Sequence, residues 1–274
     1  MPPWHRVLRS NQSAGERVSD HKTPLLSIKT NSKGDDFPNF CSLSTNFECF
    51  PTQTASSHVN VFMLLPKLKL PSQLPVMVLS GCNLLPHGLL PLFIFEPRYR
   101  KMLEDVLNAE RMFAIGTADV SQPPISEEEP AVFQHSCVGM VRACVGDEDG
   151  SSHLILQGIQ RIRFNDWHET GTPYRVAEIE PMPTINEDAE ASAVLAQRAI
   201  GLARNLVNSG AHAPSSQALE EIEAIEDPEP LADLIAYHLI RDPARRQELL
   251  GINELGERLR YVINQLINVG PSLP

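Results

Sequence analysis

The chain has 274 residues, 42% of them apolar, and a formal net charge of -11, which suits one large or two medium domains with a sizeable core. Residues 1–62 net +1, leaving 17 basic against 29 acidic side chains over residues 63–274, a balance that repels nucleic acid unless the basic groups gather on one face. No apolar run approaches the roughly 20 residues of a membrane span, since residues 84–95 are interrupted by Pro86, His87 and Pro91.

In chain order, residues 1–62 are rich in Ser, Asn, Thr and Pro and hold no sustained period. Two readings stand for them: a disordered N-terminal extension, or, with Met63 as the true start, a mis-annotated one. Five cysteines (Cys41, Cys49, Cys82, Cys137, Cys144) form no C-x-x-C pair, which speaks against a disulfide framework or a zinc site and for reduced, buried thiols.

From Leu74 the pattern sharpens. Short apolar runs at 74–79 and 91–95 read as strands, joined by a turn at 80–83 and a leucine-rich loop. Pro97 opens a helix to about Leu107 with Tyr99, Met102, Leu103, Val106 and Leu107 on its apolar face. A strand follows at 112–115, then a Pro- and Glu-rich surface loop at 122–130. A hairpin is expected from 138–145 and 153–157 around the turn 146–150. Alternation at 161–167 and 174–179 predicts two more strands, with Arg161, Arg163 and Arg175 read as a solvated strand face. At least six strands and one helix over residues 63–183 suggest a small closed or nearly closed barrel. Beyond Pro183 the period becomes helical: 186–208 capped by Asn186, about 216–225, 228–239, a helix from Pro243, and 253–270. Short Pro-containing loops make residues 184–274 a compact bundle.

Catalytic patterns are wanting. The string Gly251-Ile252-Asn253-Glu254-Leu255-Gly256-Glu257-Arg258 lacks the lysine of a phosphate-binding loop, and neither G-x-G-x-x-G nor G-x-S-x-G occurs. All six lysines lie at or before Lys101, so no lysine base is available to a serine further on. The histidines share no metal-helix spacing. His238 reads as a helix-end histidine stabilised by the helix dipole, and Cys137 and Cys144 as buried thiols. No catalytic, cofactor or metal residues are expected. What remains is apolar: Leu84, Leu85, Leu89 and Leu90 sit in a loop, where polar residues are usual. Prolines and a glycine let such a loop lie flat as a plug; the alternative is a peptide contact.

These residues carry a family resemblance. Leu89-Leu90-Pro91-Leu92-Phe93-Ile94-Phe95-Glu96-Pro97-Arg98-Tyr99-Arg100, preceded by Leu74-Pro75 and Pro86-His87-Gly88, closely resembles the opening of the Lon protease N-terminal domain family. Val138-Gly139-Met140-Val141, Leu154 through Arg161 as L-x-x-x-G-x-x-R, Tyr174-Arg175-Val176-Ala177, Leu231 through Ala236, Arg246 through Leu250 and Glu257-Arg258-Leu259 follow in family order. The resemblance implies an α+β fold, a PUA-like small β-barrel followed by a C-terminal helical bundle. It also implies a non-catalytic polypeptide-binding module, adaptor or chaperone-like, because the ATPase and Ser-Lys peptidase of full Lon proteases are not found by Pro274. RNA binding, known for PUA-like folds elsewhere, is the alternative that the charge balance disfavours. The expected partners are unfolded or client polypeptides, with an ATP-dependent protease in trans and a homo-oligomer as further candidates. Neither nucleic acid nor membrane is expected, and the expected location is cytoplasmic.

Overall fold

The computed structural model describes residues 69–126, 129–209 and 216–269; the readings made for residues 1–62 lie outside them. Six strands come first: β1 (Gln73–Leu79), β2 (Leu89–Ile94), β3 (Met112–Thr117), β4 (His135–Gly146), β5 (Ser152–His168) and β6 (Arg175–Pro181). A helix, α1 (Pro97–Leu107), lies between β2 and β3, and five more follow: α2 (Ala189–Asn208), α3 (Ser216–Glu223), α4 (Pro228–Leu239), α5 (Pro243–Leu250) and α6 (Leu255–Val269). The fold is mixed α+β, with one six-stranded sheet of order β2-β5-β4-β3-β1-β6.

The sheet's pairing returns on itself. The first half of β5 pairs with β2, Leu89 opposite Gln157 through Ile94 opposite Ser152. Its second half pairs with β6, Ile162 opposite Pro181 through His168 opposite Val176. Hydrogen bonding therefore runs through β5, β4, β3, β1 and β6 and back to β5, with β2 attached outside that circuit. Period-two alternation divides the side chains. All six residues of β3 are buried: Met112 and Ala114 join a cluster with Leu74, Val76, Val138, Ile162, Phe164, Ala177 and Ile179, drawn from every strand of the circuit. Phe113 and Ile115 point the other way, into a larger cluster with α1 and the helices beyond Pro183.

β5 corrects one expectation. Residues 153–157 and 161–167 are one continuous strand rather than two, because Gly158 does not turn the chain. A Cβ there would lie 2.0 Å from the Leu85 carbonyl oxygen, so the glycine serves the close passage of the leucine loop over β5. His87 donates its N–H to the Gly158 carbonyl at 2.9 Å, and the Gly158 N–H donates to Gly88 at 2.9 Å.

Helices α2, α4 and α5 begin where an aspartate carboxylate accepts one of their first N–H groups. Asp227 accepts from Glu229 at 3.0 Å and Asp242 from Ala244 at 2.9 Å, each followed by a proline that has no N–H to lose. For α2 the cap is Asp188, accepting from Ala191 at 2.9 Å, not Asn186. The Asn186 amide oxygen instead accepts the Ser192 hydroxyl at 2.9 Å. No helix among the described residues is long and apolar enough to cross a membrane.

Candidate functional site

The four leucines of the 84–90 segment are divided by the fold. Leu84 and Leu85 are core residues at 2% and 1% exposure, so neither offers surface to a peptide in this conformation. Leu90 is half-buried, while Leu89 is 46% exposed. The chain enters β2 through His87, whose φ of 66° is the left-handed turn before Gly88.

Alternation along β2 then exposes every second side chain: Leu89, Pro91 and Phe93, with Phe95 just beyond the strand. Phe93 and Phe95 are 49% and 50% exposed, and their rings stack at 5.6 Å. The face continues across the sheet, because paired residues project to the same side. Phe93 lies opposite His153, which lies opposite Val145; Pro91 lies opposite Ile155, which lies opposite Ala143. The His153 ring stacks on Phe93 at 4.6 Å, and Val145 is exposed. The result is an apolar, aromatic surface on three strands.

The free edge of β2 is less available than this face. Leu89 turns its carbonyl away from β5, where it accepts the Tyr237 hydroxyl at 2.8 Å. Alternation puts the backbone groups of Pro91 and Phe93 on that same outward side, and Pro91 has no N–H to donate. A proline and a capped carbonyl on an outermost strand are devices that discourage added strands. The side-chain face, rather than the edge, is what the molecule presents.

A buried polar cluster joins sheet to helices. Arg161 on β5 and Asp233 on α4 form a two-pronged pair, with Nη1 to Oδ2 at 2.7 Å and Nη2 to Oδ1 shorter still. Arg258 on α6 places Nη1 3.6 Å from the same carboxylate, and donates Nη2 to Thr184 at 3.0 Å and Nε to the Ile252 carbonyl at 3.0 Å. Thr184 in turn bonds Glu229. All three charged side chains are at 2% exposure or less. Burial works against ionising Asp233, but the two guanidiniums outweigh it and hold its carboxyl below the usual carboxylate range. Burial pushes Arg258 down to about 10. Arg161 thus does not belong to a solvated strand face. Arg163 is exposed and pairs with Glu180, and Arg175 lies over the Trp167 ring at 3.6 Å, so a three-arginine patch for nucleic acid does not form.

Chemistry is not evident at the other positions singled out in the sequence. Burial raises the Cys137 thiol to about 12, the reverse of an activated nucleophile. His238 is lowered by burial first, against the pull of Glu221, so its neutral form is favoured where the helix dipole had suggested a stabilised cation. Among the described residues no group of His, Cys, Asp and Glu could hold a metal ion. A shallow cavity of about 300 Å³, lined by Arg241, Asp242, Arg245, Gln265 and Asn268 among others, lies where α4, α5 and α6 meet. Sequence reasoning missed Phe93, Phe95, Ile155 and Val145 as surface; the proline within an apolar strand was the one available sign of an outermost strand.

The sequence model of the ATP-dependent protease La (LON) substrate-binding domain matches residues 73–268. The chain belongs to the Lon substrate-binding domain family. Curated relatives include the Lon protease of Escherichia coli strain K12, 28% identical over 195 residues, and Lon protease 2 of Herpetosiphon aurantiacus, 29% identical over 203 residues. These matches cover 70% and 72% of this chain but 24% of each relative, so the chain spans about a quarter of the Lon proteases it matches. Among solved structures, the N-terminal domain of Mycobacterium avium complex Lon protease superposes with a TM-score of 0.58 at 17% identity, covering 72% of this chain and 98% of that one. The fold is thus that of a Lon N-terminal domain. The Lon motifs seen in the sequence meet in three dimensions: Arg161 of L-x-x-x-G-x-x-R, Asp233 of the Leu231–Ala236 segment and Arg258 of Glu257-Arg258-Leu259 are the buried charged cluster.

Proposed function

We propose that this chain binds unfolded polypeptide through the face made by Leu89, Pro91, Phe93, Phe95, Ile155 and Val145, without transforming it. The observation that carries the reading is that exposed stripe. Large apolar side chains exposed together in register are costly to leave in water, and they mark contact surfaces. The family's description as a substrate-binding domain supports the same reading. Delivery to an ATP-dependent protease in trans, or holding a client as a chaperone would, extends it. The circuit of pairings through β5, β4, β3, β1 and β6 fits a small PUA-like barrel, with the helices beyond Pro183 as a bundle against it. Cytoplasmic residence is part of the proposal, and the free thiols Cys82, Cys137 and Cys144 fit a reducing compartment.

The test is fluorescence polarisation with a labelled, reduced and carboxymethylated protein that cannot refold. Wild type should bind it, and Phe93→Asp should bind at least about tenfold more weakly, as expected for loss of an aromatic anchor, with an unchanged melting temperature. A wild type that binds this probe no better than a folded acidic control overturns the reading.

A further inference from the structure

The exposed stripe has a definite length and opposite charges at its two ends. From Leu89 to Phe95 the strand advances about 20 Å at roughly 3.3 Å per residue, and its outward side chains recur every second residue. An extended peptide of about seven residues matches that length, with alternate side chains meeting the face. The edge of β2, with Pro91 and the Tyr237-capped Leu89 carbonyl, supplies little main-chain pairing, so side chains decide what is held.

At the Phe95 end stands the β4–β5 turn with Asp147, Glu148 and Asp149, all exposed, and Glu96 follows Phe95 directly. Two guanidiniums oppose these four carboxylates. Arg98 pairs with Glu96 at 2.9 Å, and Arg100 reaches the turn, filling the space where a Gly150 Cβ would stand. Asp147 faces His153 at 3.5 Å, and Glu148 makes no ion pair among the described residues. Asp149, held low by the Ser151 hydroxyl and N–H, stays ionised. An acidic excess remains at this end. At the Leu89 end the sign reverses: Arg142, exposed, donates Nε to the neutral Gln157 at 2.6 Å, and Gln157 is the partner of Leu89 in the sheet.

We propose that this face selects an extended segment with apolar side chains at alternate positions and a lysine or arginine at the end that lies over the Asp147–Asp149 turn. The inference rests on the polypeptide-binding reading above and adds a charge requirement to it. The Debye length of about 8 Å at physiological salt is shorter than the stripe, so each end acts on the residue above it rather than on the peptide's net charge. Contacts at an exposed rim are modest, and the selection is correspondingly about threefold to fivefold at low salt.

Two labelled peptides test it on the full chain, each with the core Leu-Ser-Phe-Ser-Phe, one flanked by lysines and one by glutamates at the end under study, with a core of serines as control. The lysine-ended peptide should bind about threefold to fivefold tighter than the glutamate-ended one in 50 mM salt. The difference should fade by about 0.5 M salt and should vanish or invert in Glu148→Lys. Equal affinities for the two, with both above the serine control, overturn the charge requirement and leave the apolar reading standing. A preference for lysine that persists unchanged in Glu148→Lys also overturns it, because the turn is then not its source. If neither peptide exceeds the serine control, the polypeptide-binding reading fails and the inference fails with it.

Discussion

Asp233 accepts from Arg161 through both oxygens and lies near Arg258, in a place where water does not reach. Removing one member of such a group leaves a buried charge without its opposite, which costs about 3–5 kcal/mol, whereas replacing all members by apolar side chains of similar volume is often neutral. Asp233→Ala should therefore lower stability in urea by about 3–5 kcal/mol. The triple replacement Arg161→Met, Asp233→Leu, Arg258→Met should be less harmful than that single change, and the reverse order would show that the cluster stabilises outright. Three partly buried histidines add a dependence on pH. His87, His135 and His238 are each lowered by burial, with Asp233, Glu229, Arg161 and Asp227 about His87, Arg163 by His135, and Glu221 and Arg246 by His238. A lowered value means that the folded chain binds fewer protons than the unfolded one, so stability is complete above the unfolded histidine value of about 6.5 and falls as pH drops below it. Asp233 loses its contribution only further down, as pH falls from about 4 through its lowered folded value. The urea midpoint should therefore decline between pH 7 and pH 5, and His238→Gln should make that decline shallower.

At the scale of elements, β2 carries both an anchor and an exposed stripe, since Leu92 and Ile94 are buried while Phe93 and Phe95 face out. Phe93→Asp should leave thermal stability within about 0.5 kcal/mol of wild type, as exposed substitutions usually do. Gly158→Ala should do the opposite. Its Cβ would meet the backbone of Leu85, which cannot step aside as a flexible side chain would, so a loss of about 2 kcal/mol or more is expected, read as a lower melting temperature. Much of this level was legible beforehand. Pro97 announced its helix through a missing N–H, Asp227-Pro228 and Asp242-Pro243 added a capping carboxylate, and the period change after Pro183 announced the run of helices α2 to α6. The stripe was harder to see. Leu89 to Phe95 is apolar at almost every position, so its sequence reads equally as a strand buried on both faces, and only the neighbours that β2 lacks reveal which face is open. Arg161 was misjudged for a related reason: an arginine in an alternating strand reads as solvated until the carboxylate that meets it, 72 residues further on, is brought alongside.

Across the whole molecule, the two hydrophobic clusters differ in what they join. The buried residues of the smaller all come from β1, β3, β4, β5 and β6; the larger combines Met77, Phe113, Ile115, Cys137 and Leu156 of the sheet with Ile200, Leu231, Ile235, Leu259 and Val262 of the helices. Gln247 on α5 adds a polar tie, accepting from Asn83 at 2.8 Å and donating to the His135 carbonyl at 2.8 Å. A chain cut near Pro183 would bare the sheet side of that larger cluster and strand Arg161 without Asp233. Each exposed core side chain costs about 1.5–3 kcal/mol, so a handful of these losses matches the 5–15 kcal/mol by which a domain is ordinarily stable. Residues 69–183 expressed alone should accordingly lack near-ultraviolet circular dichroism and a cooperative urea transition, while the full chain should unfold in one step, with fluorescence and far-ultraviolet circular dichroism giving coincident curves. A fragment that melts cooperatively on its own would mean that the five-strand cluster is sufficient, and that the helices are attached to a finished core rather than completing it.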